Sequence, residues 1–112
     1  MTNKYQQNLP QSAANHSPLT PLAFLRRSAA VFPDKIAVID DDRHFDYRTL
    51  LARCRQLAAG LRGLGVQDAD TVAVLCPNSH EMLEAHYGVA MAGAVLNALN
   101  TRLDAATLGF IL

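Results

Sequence analysis

Little in this chain points to a charged partner, a membrane or an oxidising compartment. Ten basic side chains balance ten acidic ones, so no net field draws the chain to nucleic acid or to an anionic membrane. Aromatic residues make up only 6% of the sequence, and they do not interleave with a basic stripe as on a nucleic-acid surface. Arg26, Arg27, Arg48, Arg53, Arg55 and Arg62 fall on expected helix surfaces, where solvation accounts for them. Cysteine occurs twice, at Cys54 and Cys76. The two lie far apart among apolar neighbours and read as buried reduced thiols, not as a disulfide or part of a metal site. No apolar run approaches the roughly 20 residues of a membrane-spanning helix. The first twenty residues lack the apolar middle of a secretory signal and the arginines of a transit peptide. A cytoplasmic address is the expectation that remains.

Chemical motifs are equally sparse. There is no Gly-Lys-Ser/Thr phosphate loop. Gly60-Leu-Arg-Gly63-Leu-Gly65 has a spacing near that of a dinucleotide-binding turn. Such a turn follows a strand and opens a helix, whereas this run closes one. His80-Glu81-Met-Leu-Glu84-Ala-His86 invites a zinc reading. A zinc-binding helix needs histidines four apart, and these are six apart, about 120° out of line at the helical turn. The segment reads instead as a helix with a negative first turn, which the helix dipole favours, and with His86 partly buried. His44 and Asp46 have no nucleophile beside them, so no hydrolytic triad is supported.

What is present is a foldable α/β pattern. Half of the 112 residues are hydrophobic, enough for the core of one small domain. Residues 1–18 read as a flexible polar tail, too polar to offset the entropy of ordering it. Thr20 caps a helix that opens on Pro21, with Leu22, Leu25, Ala29 and Phe32 on one face and Pro33 ending it. Ile36-Ala-Val-Ile39 and the residues from His44-Phe45 read as an antiparallel pair joined at Asp40-Asp-Asp42. Asp46 caps a long helix whose apolar ladder is Tyr47, Leu50, Cys54, Leu57, Leu61 and Leu64. Gly63 and Gly65 suit its end. Thr71–Cys76 reads as a strand covered on both faces. Ser79 caps the next helix, with Met82, Leu83, His86, Val89 and Ala90 facing inward and Gly93 at its end. Ala94–Leu99 completes a strand–helix–strand crossover, which is right-handed by rule. Asp104 then caps a final helix, and Leu103 with Leu108 forms a hydrophobic staple. That helix stops on Gly109-Phe-Ile-Leu112 in mid-face. The expectation is therefore a partial α/β domain spanning 19–112, truncated at its C-terminal end.

Asn97, Asn100, Thr101 and Arg102 are the clustered polar groups at the C-terminal end of an expected strand, the edge where open α/β sheets bind ligands. Asn97, Asn100 and Thr101 are candidates for lining a cleft there. The competing reading is that Asn and Thr merely fix the turn. No residue qualifies as catalytic, cofactor-binding or metal-ligating.

From Leu19 onward the sequence resembles the N-terminal portion of AMP-forming acyl-CoA synthetases, of the adenylate-forming superfamily. The resemblance rests on Leu19-Thr-Pro-Leu-Ala-Phe-Leu25, Phe32-Pro-Asp-Lys-Ile-Ala-Val38, Tyr47-Arg-Thr-Leu50, Ala73-Val-Leu-Cys-Pro-Asn-Ser79, Ala92-Gly-Ala-Val-Leu-Asn97 and Leu99-Asn-Thr-Arg-Leu-Asp104, in that order. The last stretch looks most like the branch acting on fatty and related small carboxylic acids. Two departures stand out: Ala69-Asp70 replaces the usual Gly-Asp, and Asp46 replaces the usual Ser or Thr cap. The resemblance implies a parent that uses ATP, Mg²⁺ and coenzyme A to turn a carboxylic acid into an acyl-adenylate and then a thioester. It places the phosphate loop, adenine and ribose contacts and catalytic lysine further along, with no matching position here. This segment is then scaffold, partnered by the remainder of the parent domain and inactive alone. Other possibilities are a luciferase-like or carrier-protein-loading enzyme, or a non-catalytic interaction module.

Overall fold

The computed structural model describes residue 10 and residues 12–112. Residues 1–9 and 11 of the expected polar tail lie outside the described residues. Just after them, Ser12 and Asn15 form a small turn in which the Ser12 N–H donates to Asn15 Oδ1 at 2.8 Å.

Four helices and four strands follow: α1 (Pro21–Val31), β1 (Ile36–Asp40), β2 (Arg43–Asp46), α2 (Tyr47–Gly63), β3 (Thr71–Leu75), α3 (His80–Met91), β4 (Val95–Leu99) and α4 (Ala105–Ile111). Three of the expected caps form. The Leu22 N–H donates to Thr20 Oγ1 at 3.3 Å. The Thr49 N–H donates to Asp46 Oδ1 at 2.7 Å and the Thr107 N–H to Asp104 Oδ1 at 2.9 Å. These bonds hold the Asp46 and Asp104 carboxyls below their ordinary pKa range, because only the carboxylate accepts well from both the backbone and the side chain of Thr49 or Thr107. Asp46 thus does the work of the hydroxyl it replaces.

The strands form two pairs. β1 and β2 run antiparallel, with Asp40 opposite Arg43 across the Asp41–Asp42 turn. Asp41 sits at φ 49 there, a left-handed conformation that aspartate tolerates better than most residues. β3 and β4 run parallel, Thr71 opposite Val95 and Leu75 opposite Leu99, joined through α3. This is the expected crossover. The expectation that β3 is covered on both faces is corrected, since its burial alternates. Val72 and Val74 pack with Leu96 against Val89 and Ala85 of α3, while Thr71, Ala73 and Leu75 are exposed. Helices cover one face of this two-stranded sheet, and the other leaves Thr71, Ala73 and Leu75 of β3 open.

Two core clusters result. Leu25, Val38, Leu50 and Cys54 join α1, the hairpin and α2. Ala85, Val89 and Ala94, with Leu57 and Leu61, join α2, α3 and the second sheet. Burying Leu25, Leu50 or Val89 is worth about 1.5–3 kcal/mol each. Phe32 and Leu64, placed by periodicity on these faces, are exposed instead. Each stands at its helix's C-cap, where the backbone leaves the helical path that periodicity assumes.

α3 buries Met82 and Val89 as expected, but the rest of its inner side differs from the one expected. Leu83, His86 and Ala90 are exposed, whereas His80, Met82, Glu84, Ala85, Gly88 and Val89 are buried. The reason is the closeness of α2: a Cβ placed on Gly88 would lie 2.7 Å from Leu57 Cδ2. Only a stripe of small residues admits that approach. Glu84 is carried into this interface and paired there by Arg53 Nε at 2.5 Å. The Arg53 guanidinium also lies 5.0 Å from the Phe45 ring centroid. Arg53 is therefore not the solvated arginine that composition suggests.

Gly65 and Gly93 adopt positive φ, at 97 and 75. Gly63 is ordinary helix, so only Gly65 supplies the left-handed turn expected of the pair. Ala69, at the position noted for replacing glycine, sits at φ 67. It is anchored there by its N–H donating to the Gly93 carbonyl at 2.8 Å.

Candidate functional site

Parallel pairing brings the C-terminal ends of β3 and β4 to one edge. The segments leaving them, Cys76-Pro-Asn78 and Asn100-Thr-Arg102, face each other across a cleft of about 650 Å³, floored by Met82 and His86 of α3. Asn100 and Thr101 border this cleft. Asn97 does not: it pairs in register with Ala73 and so shares the sheet face turned away from α3, by the two-residue period of a strand. Asn100 also stabilises the turn, since its Oδ1 accepts the Arg102 N–H at 2.9 Å. The His86 ring lines the cleft with its Nδ1 donating to the Met82 carbonyl at 2.8 Å. That bond leaves Nε2 of the neutral ring free to accept.

A second, more apolar hollow of about 640 Å³ lies across α3, lined by Val38, Ile39, Leu83 and Tyr87 and by the polar groups of Asp40 and His80. Here the structure assembles something the sequence did not show. Ser79 occupies the N-cap position of α3 without making a cap bond, which corrects the expectation that its side chain caps the helix. Its hydroxyl donates instead to Glu81 Oε2 at 2.6 Å. Asp40, from the end of β1, accepts the His80 N–H at 2.9 Å and also meets His80 Nδ1 at 2.5 Å. The cap is thus supplied by a strand forty positions earlier. The His80 backbone bond, foremost, and its ring hold the Asp40 carboxyl below its ordinary pKa range. Glu81 is lowered in the same sense, chiefly by the Ser79 hydroxyl.

Asp40, His80 and Glu81 bring three donor atoms within 4.8 Å of one another, but they do not fit a magnesium ion. Two ligands on one octahedral Mg²⁺, with bonds of about 2.1 Å, lie about 3 Å apart. The Asp40–His80 separation is 2.5 Å, a hydrogen bond, and the Arg43 guanidinium already stands 3.3 Å from the other ring nitrogen. Nor is there a serine–histidine relay, since the Ser79 proton goes to Glu81.

The described residues include six glycines. Of these, Gly88 is pressed on Leu57 and Gly93 on Asp68 and Arg62, and the rest meet nothing within 4 Å of a would-be Cβ. Lys35, the one lysine among the described residues, lies against Phe32. The thiols are free: Cys54 is wholly buried and pushed up to about 11 by desolvation, and Cys76 is half-buried at the cleft.

This α/β arrangement is that of a known family. The model of the AMP-binding enzyme family matches residues 25–112, and the chain belongs to that family. The chain is 44% identical over 112 residues to an acetate–CoA ligase, CCL3, of Humulus lupulus, covering all of this chain and 20% of that one. It is 46% identical over 105 residues to the peroxisomal acetate/butyrate–CoA ligase AAE7 of Arabidopsis thaliana, covering 94% of this chain and 18% of the relative. Among solved structures, the inhibitor-bound N-terminal domain of FACL13 from Mycobacterium tuberculosis superposes with a TM-score of 0.78 at 38% identity, over 81% of this chain and 23% of that one. The chain thus spans about a fifth of the length of the curated relatives it matches. Among the described residues no helix is long and apolar enough to cross a membrane.

Proposed function

We propose that this chain is the N-terminal portion of an acyl-CoA ligase that activates a fatty or related small carboxylic acid. In the whole enzyme the carboxylate attacks the α-phosphate of ATP, releasing pyrophosphate. Coenzyme A thiolate then displaces AMP from the acyl-adenylate. The observation that carries this reading is the identity to an acetate–CoA ligase sustained over the full 112 residues. The segment's own contribution is scaffolding: residues 19–112 form part of the large domain, preceded by the polar residues 1–18. In this division ATP, Mg²⁺ and coenzyme A are held elsewhere in the enzyme. Asn100 and Thr101 border the acyl cleft. A cytoplasmic address belongs to the same reading.

The test is a chimera in which this segment replaces the matching fifth of the hop acetate–CoA ligase. Acetyl-CoA formation from acetate, ATP and coenzyme A is the expected result. A soluble chimera without activity refutes the reading. In an active chimera, Asn100→Ala with Thr101→Ala changes acyl-chain preference or turnover. If neither changes, those two residues do not border the acyl site. The 112-residue chain alone releases no pyrophosphate from ATP.

A further inference from the structure

His80 has two candidate partners for one nitrogen. Its side chain is only 3% exposed, and its ring packs on Phe45 with centroids 5.1 Å apart. Nδ1 is committed to Asp40, which as a carboxylate only accepts, so Nδ1 carries the hydrogen. Nε2 lies 3.3 Å from Arg43 Nη1 of β2 and 3.0 Å from Glu81 Oε1 of α3. These neighbours make opposite demands. A guanidinium only donates, so it needs Nε2 bare. A carboxylate only accepts, so it needs Nε2 protonated. The Arg43 contact has hydrogen-bond geometry, whereas the Glu81 contact is close without being aligned, the carboxylate being tethered by Ser79.

We propose that His80 is a proton-operated switch between the hairpin and α3: neutral, it holds Arg43 through Nε2, and protonated, it passes Nε2 to Glu81 and lets Arg43 go. The proton comes from solvent, by way of the open hollow formed by Asp40–Arg43 and Ser79–Glu81. It adds to the Nε2 lone pair, and no bond between heavy atoms changes. Asp40 keeps its hold in both states, so the hairpin loosens at its turn without detaching. Asp40 of β1 and Glu81 of α3 favour the proton, and Arg43 of β2 opposes it. Asp41, Asp42 and the exposed His44 flank the hairpin side. Arg53 of α2 faces the other members of the cluster through Phe45 but is neutralised by Glu84. α1 brings only Pro21 to the adjoining hollow.

The test is nitrogen-resolved NMR of the histidine rings in the 112-residue chain between pH 5 and 8. At pH 8 the His80 ring is expected with its hydrogen on Nδ1, with cross-peaks to the Arg43 side chain that vanish at pH 5. Glu81→Gln moves the loss of the Arg43 cross-peaks to lower pH, because the protonated ring then has no carboxylate beside Nε2. A hydrogen on Nε2 at pH 8, or cross-peaks to Arg43 that persist at pH 5, overturns the proposal in the unmodified chain. Loss of the cross-peaks at unchanged or higher pH in folded Glu81→Gln does so as well.

Discussion

Gly88→Ala sets two known effects against each other at the α2–α3 interface. Replacing a mid-helix glycine by alanine favours the helix by about 1 kcal/mol. Against this, the new Cβ would lie 2.7, 2.9 and 3.0 Å from Cδ2, Cγ and Cβ of Leu57, where carbon atoms prefer about 3.5–4.0 Å. The Cβ contact at 3.0 Å needs a shift of only a few tenths of an ångström, but Cγ and Cδ2 must both clear the new atom inside a packed interface. The helices must therefore part, and overpacking of this kind costs about 1–3 kcal/mol. The net expectation is destabilisation of about 1 kcal/mol. Hydrogen exchange of α2 and α3 amides, read by mass spectrometry, then speeds up about fivefold. The decisive comparison uses Leu57→Ala, which removes Cγ and Cδ2 and lets the remaining contact relax. In that background Gly88→Ala should slow exchange, because the propensity gain survives and the clash does not. Slower exchange in both backgrounds would mean that α2 and α3 are not packed this tightly, and the account of why α3 buries its small residues would fail.

The left-handed Ala69 gives a stabilising change: Ala69→Gly relieves a conformation that costs an L-residue about 1–2 kcal/mol, less about 0.4–1 kcal/mol for the freer unfolded chain. Slower exchange of the Ala69 amide, which donates to Gly93, checks it, and unchanged or faster exchange contradicts it. The two thiols should separate by reactivity. With Cys54 pushed up to about 11, its thiolate is scarce at pH 8. Iodoacetamide should then modify Cys76 first and Cys54 only on denaturation, as peptide mapping would read. Equal labelling of both in the folded chain refutes the burial of Cys54.

The elements were legible wherever a local signal decided them. Thr20, Asp46 and Asp104 announce helix starts because capping is a contact within three residues. The β3–α3–β4 unit is readable because two apolar runs flank a helical one. The inner side of α3 was legible only at Met82 and Val89, because Leu83 and Ala90 weigh more on a hydropathy scale than Gly88. What decides the side is how near α2 lies, and that depends on Leu57, far away in sequence. The uncovered face of β3 escaped for a related reason. An apolar run reports what a strand could bury, not what this chain provides to bury it. The Asp40–His80 pair left no trace at all, since Asp40 looks like one of three turn aspartates and His80 like the second residue of a helix start. Asn100 and Thr101 came to the cleft because they follow the strand, and Asn97 did not because it is still within it.

The Asp40–His80 clasp also bears on the order of events in folding. Its two ends stand forty residues apart, with the whole of α2 and β3 strung between them. A chain must first settle that intervening stretch before the loop can close at tolerable entropic cost. A clasp closed after that stretch has settled stands on the downhill side of the barrier. Contacts made there leave the speed of assembly alone and lengthen the lifetime of what has been assembled.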